Sequence, residues 1–254
     1  MKVRVIIFLM SCLMVSVAGA QTQKPVKTEP AKTQPQTKPQ PKPEEPVKPA
    51  INPLTEHFYK KYVTALQWND YAVAKDALYD LIMENPQNDS LIFNLAYYYY
   101  ENQQYPSSVL VSQQLLARNP KNTAAIEISA VGYEFMGVPD RALQNYESLY
   151  LLTNNITALY KMSFLQYDLK RFGECLTSID ILLANKNLDG AKVVFNDVEN
   201  KQKEYPMKVA IVNLKGMAVL EHLGDKAAAK KLYEEALAIS PDFVLAKQNL
   251  AKVK

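Results

Sequence analysis

The chain has 254 residues and a mass of 28.7 kDa, with 29 Lys and Arg against 26 Asp and Glu and a formal net charge of +3. Only 7 Gly argue against folds built on many tight turns or phosphate-cradling loops, and 2 Cys and 2 His supply neither a disulfide framework nor a zinc site. Residues 54–254 hold 21 Lys and Arg against 23 Asp and Glu, so the part expected to fold offers no basic excess to a nucleic acid.

Residues 1–20 read as a secretory signal peptide. Lys2 and Arg4 precede an apolar run from Val5 to Val17, and Ala18-Gly19-Ala20 forms a small-residue cleavage site. Two alternatives stay open. The run could persist as a membrane anchor, although it is short for a span. Leu9-Met10-Ser11-Cys12 loosely resembles a lipobox, although Cys12 lies inside the apolar run. Residues 21–53 hold nine of the 15 prolines and no aromatic residue. Such a segment cannot bury enough apolar surface to order itself, so a disordered, extended linker rich in Pro, Lys and Gln is expected.

From residue 54 the punctuation becomes periodic. Pro86 and Pro120 each close an apolar helical run, and Asn154 and Pro241 close later ones. Apolar residues recur at spacings of three and four, as in Ile92, Leu95, Ala96 and Tyr99, so each unit reads as two amphipathic helices. Small residues recur where the second helix of a unit approaches the first: Ala74, Ser108, Ala142, Cys175 and Ala229. Gly137 and Gly224 fall at turns between paired helices. Residues 186–206 interrupt the period. Gly190 is expected to end the preceding helix, and Lys192–Phe195 and Lys201–Tyr205 flank a turn-rich stretch, which suggests a β-hairpin near 191–205. Pro206 then opens a long helix to about His222. After Pro241 one last helix, with Lys247, Lys252 and Lys254 outward, suits a terminal cap.

These residues resemble the tetratricopeptide repeat. The last unit carries the resemblance best through Gly224, Ala229, Tyr233, Ala236 and Pro241. The second carries it through Leu95, Ala96, Tyr99, Tyr105, Ser108 and Pro120. The first unit departs from the pattern at Lys61-Tyr62, and Gly216 stands one residue off phase. The resemblance covers residues 54–254. It implies an all-α, right-handed superhelix of about five helix-turn-helix units with a C-terminal capping helix.

Catalytic chemistry is not legible. His57 and His222 lack ligand-spaced partners, no H-E-x-x-H or Gly-rich phosphate loop occurs, and Glu234-Glu235 reads as a solvated helix face. Cys175, at a small packing position, reads as a buried thiol. Asn88-Asp89-Ser90 and Asn155-Ile156-Thr157 match a glycosylation sequon, but both stand at unit boundaries. A non-enzymatic protein without cofactor, metal, small-molecule substrate or nucleic-acid partner is expected.

The family resemblance implies a concave groove lined by the first helices of successive units and filled by a peptide or partner protein. On this chain its inward positions are Tyr59, Val63, Phe93, Tyr97, Tyr100, Glu127, Val131, Glu134, Tyr160, Phe164 and Tyr167. Among four consecutive tyrosines, Tyr99 continues the core row and Tyr97 and Tyr100 share another face with Phe93. Aromatic rings beside acids suit a ligand with apolar and basic residues. The expected function is an exported scaffold, periplasmic or secreted. The alternative is a periplasmic accessory or chaperone protein of an envelope complex, touching the membrane through an uncleaved N-terminal segment.

Overall fold

The computed structural model describes residues 52–197 and 199–253. The expected signal peptide and nearly all of the expected linker lie outside the described residues. Pro53, placed in the linker by composition, is the first residue of α1, where its fixed φ and missing N–H suit a helix start.

Ten helices form five antiparallel pairs: α1 (Pro53–Gln67) with α2 (Tyr71–Glu84), α3 (Asp89–Glu101) with α4 (Tyr105–Arg118), α5 (Thr123–Phe135) with α6 (Pro139–Thr153), α7 (Ile156–Asp168) with α8 (Phe172–Leu183), and α9 (Met207–Leu223) with α10 (Lys226–Ile239). A short α11 (Val244–Lys252) packs on α10 and α9. Each pair packs on the next, and the first helices of adjoining repeats also touch, α3 with α5 and α7 with α9. The result is the expected all-α superhelix of five repeats with a terminal cap.

The small positions explain the tight pairing. Ala74, Ser108, Ala142, Cys175 and Ala229 are all buried. Gly216 takes the same kind of role from the opposite helix: a Cβ there would stand 2.6 Å from the ring of Tyr233. Every turn within a pair contains one left-handed residue in equivalent register: Asn69, Gln103, Gly137, Lys170 and Gly224. Only two of these are glycine, which is why the glycine signal was visible in two repeats and silent in three. Asp70, Asn88, Asn122, Asn155 and Asp225 cap the following helices, each side chain accepting a backbone N–H of the first turn. Capping accounts for Asn88 and Asn155 standing where the sequon matches fall.

The interruption differs in detail from the expectation. Gly190, with φ of +88°, does not end α8. It follows a 3-10 turn over Lys186–Leu188. β1 (Lys192–Asn196) and β2 (Gln202–Pro206) then form an antiparallel hairpin, with Val193 opposite Tyr205 and Phe195 opposite Lys203. Alternation sends Val193, Phe195 and Tyr205 inward. Phe195 and Tyr205 meet the ring of Phe243, at the entry to α11, edge-on at 5.2 and 5.0 Å. The hairpin is thereby part of one continuous core that runs from repeat three to α11. A smaller core of Ile92, Leu115 and Ala125 joins repeats two and three. Among the described residues no helix is long and apolar enough to cross a membrane.

Candidate functional site

The four tyrosines of α3 separate as helix geometry requires. Tyr99, expected in the core, is only partly buried. Its hydroxyl lies 2.6 Å from that of Tyr79 on α2. Burial, reinforced by that hydrogen bond, pushes it up to about 12. Tyr98 has the Lys75 ammonium 5.7 Å over its ring. Both rings therefore tie repeat two to repeat one. Tyr97 is 48% exposed and stacks on Phe93 at 6.2 Å. Tyr100 lies 6.2 Å beyond it, tilted by 34°. Phe93, Tyr97 and Tyr100 thus form one continuous aromatic row.

Carboxylates flank this row. Burial raises the hydroxyls of Tyr97 and Tyr100, and the neighbouring Glu101 raises both further. Glu127 of α5 acts on Tyr100 as well, and its own carboxyl is raised by desolvation. Val131 is partly buried and packs against the main core. Tyr105 lies flat on Phe135 at 4.5 Å, closing the boundary between repeats two and three.

Two expected groove residues are corrected. Glu134 is not a free acid for a ligand. It accepts Lys161 Nζ at 2.8 Å (Oε1) and 3.1 Å (Oε2), and Tyr146 Oη donates to it at 2.9 Å. Tyr160 is 0% exposed, with its ring 4.9 Å from Phe164, and its hydroxyl has no hydrogen-bond partner among the described residues. It is a core residue, because α7 is enclosed by both neighbouring repeats. Lys161 escaped the sequence reading. Its only signal is a lone cation in an otherwise apolar stretch of α7, one repeat on from Glu134.

The remaining residues do not all converge. Phe164 is partly buried against the main core. Tyr167 meets Phe172 edge-on at 5.6 Å, and burial, with Glu221 and Asp168 nearby, pushes its hydroxyl up to about 12. Its ring contact lies within repeat four, and Glu221 acts on it from repeat five. Tyr59 and Val63 lie on α1; Tyr59 is more than half exposed and close to Tyr62. The candidate site is therefore Phe93, Tyr97 and Tyr100, with Glu101 and Glu127 beside them. Cys175 is fully buried, and burial pushes its thiol up to about 12.

No family model and no curated protein matches the chain. Solved structures do. A tetratricopeptide repeat protein from Parabacteroides merdae ATCC 43184 superposes with a TM-score of 0.59 at 16% identity, over 80% of this chain and 73% of that one. YrrB, a TPR protein with an unusual peptide-binding site, gives 0.60 at 12% identity, over 77% and 90%. MamA 41-end from Desulfovibrio magneticus RS-1 gives 0.56 at 10% identity, over 77% and 99%.

Proposed function

The chain carries the tetratricopeptide-repeat fold, and from that premise we propose that it is a non-enzymatic scaffold that holds a partner protein through an extended segment of it. The observation that carries this reading is the aromatic row Phe93–Tyr97–Tyr100, open to solvent at Tyr97 and flanked by Glu101 and Glu127. Rigid rings with polar tips provide contact area at low entropic cost. Carboxylates beside them favour a segment that carries Lys or Arg among apolar residues. YrrB, similar in fold, has a peptide-binding site by its description, which supports the same use of the fold here.

The scaffold acts outside the cytoplasm. The support is the order of Lys2 and Arg4, the apolar run to Val17 and the Ala18-Gly19-Ala20 site. Sequencing the amino terminus of the native product tests this: Gln21 is expected, and an intact Met1 rejects cleavage.

Photo-crosslinking tests the site. A benzophenone side chain placed at Tyr97 is expected to trap a partner from the native extract. The same group at Leu110, which is 65% exposed on the second helix of the repeat, is expected to trap none. Equal trapping at both positions rejects the aromatic row as the binding surface. Tyr97→Ala is expected to abolish capture while the melting temperature stays within about 2 °C, since an exposed ring contributes little to folding.

A further inference from the structure

Tyr100, Glu134 and Tyr167 occupy equivalent positions of their first helices, each three residues before the left-handed turn residue Gln103, Gly137 or Lys170. Glu101 and Asp168 each follow by one. Repeats two and four thus present the same pair, a tyrosine with an exposed carboxylate next to it. Repeat three, between them, presents Glu134, whose charge Lys161 already neutralises at 2.8 Å. The stripe is continuous. Glu127 and Tyr100 both act on Tyr146, Tyr146 donates to Glu134, and Glu134 acts in turn on Asp168. Tyr167 adds an apolar contact through its edge-on packing with Phe172. Among the described residues neither Glu101, Glu127 nor Asp168 forms an ion pair. Burial raises the carboxyls of Glu127 and Asp168, and no cation of the chain offsets the effect. Holding such charges without a counter-ion costs stability, and a cation brought by a ligand removes that cost.

First helices of adjoining repeats touch, as α3 does α5 and α7 does α9. Touching helices lie roughly 8–10 Å apart, so repeats two and four are about 20 Å apart along this face. An extended segment, rising ~3.3 Å per residue, covers that distance in about six residues. We propose that the segment held by the aromatic row carries two basic residues about six apart with no charge between them. One lies beside Tyr100 and Glu101, the other beside Tyr167 and Asp168. The proposal rests on the reading of the row as a binding surface and gives its ligand a length, a register and a charge pattern. Charge complementarity selects this pattern. A cation at the middle gains nothing, because Glu134 is already paired. An acidic segment meets carboxylates at both ends.

Selection of a random peptide library, displayed on phage, against the full chain tests this. Enriched peptides are expected to carry two Lys or Arg about six residues apart, with neutral residues between them. For one such peptide, fluorescently labelled, Asp168→Asn is expected to weaken binding about five- to tenfold while the helical circular dichroism is kept. Gln in place of one of the two basic residues is expected to cost the same and to leave Asp168→Asn without further effect. Gln in place of the other is expected to do so for Glu101→Gln. Peptides that need Tyr97 but carry a single basic residue, and bind the Asp168→Asn chain as they bind the parent, overturn the second anchor and leave the aromatic row in place. A spacing of about thirteen residues, which a helix needs to cover the same distance, rejects the extended form. Peptides indifferent to Tyr97→Ala, or no enrichment at all, overturn the row and this proposal together.

Discussion

Lys161, 8% exposed, holds its ammonium between both oxygens of Glu134 at 2.8 and 3.1 Å, and the pair ties repeat three to repeat four. Removing the cation strands a half-enclosed carboxylate held only by Tyr146. Lys161→Met is therefore expected to cost about 2 kcal/mol, below the range for a fully buried pair because Glu134 retains some access to water. Urea unfolding measures it. Adding Glu134→Gln to Lys161→Met should recover part of the loss, since the stranded charge is then gone.

The left-handed turn residues give a paired expectation. Lys170 (φ 60°) and Gln103 (φ 57°) occupy a backbone region that costs a side-chain-bearing residue about 1 kcal/mol. Lys170→Gly is expected to raise stability by up to that amount. Gly224 holds the same conformation, and a Cβ there would touch nothing within 4 Å, so Gly224→Ala isolates the backbone term and is expected to lower stability similarly. Thermal melts that move in the same direction for both variants contradict the assignment.

Close helix approach sets the third expectation. Gly216→Ala drives a methyl to 2.6 Å from the Tyr233 ring, and Ala142→Leu adds three carbons at a fully buried position. Overpacking of this kind costs roughly 1–3 kcal/mol. An unchanged denaturant midpoint for either variant would show that the helices can spread apart freely at that contact.

Acid titration separates stability from recognition. Burial raises the carboxyls of Glu127 and Asp168 above their ordinary values, with Glu134 adding to the effect on Asp168. The folded chain thus holds these protons more tightly than the unfolded one. Their contribution is full below about pH 4 and is lost as pH rises through the raised values. Glu127→Gln and Asp168→Asn are expected to raise the urea midpoint near neutral pH and to have no effect at about pH 3.5. Solvent screening keeps each gain to about 0.5 kcal/mol or less. Glu127→Gln should at the same time weaken capture of a basic segment, whereas a purely structural Glu127 predicts no change in capture.

Much of the architecture was written in the sequence, because it depends on contacts repeated at a fixed spacing. Ala74, Ser108, Ala142, Cys175 and Ala229 had to be small for paired helices to meet, and all five are buried. The hairpin was legible for a similar reason: alternating residues on either side of a turn-rich stretch determine two strands locally. Tertiary structure alone decided which aromatic rings remain available. Phe93 and Tyr160 stand at equivalent positions of α3 and α7, yet one is only partly buried and the other fully buried, since enclosure depends on how closely neighbouring repeats approach. It alone paired Glu134 with Lys161, from side chains on separate helices. A stripe's periodicity states which face of a helix it occupies, while only the stacking of one repeat on another determines what that face meets.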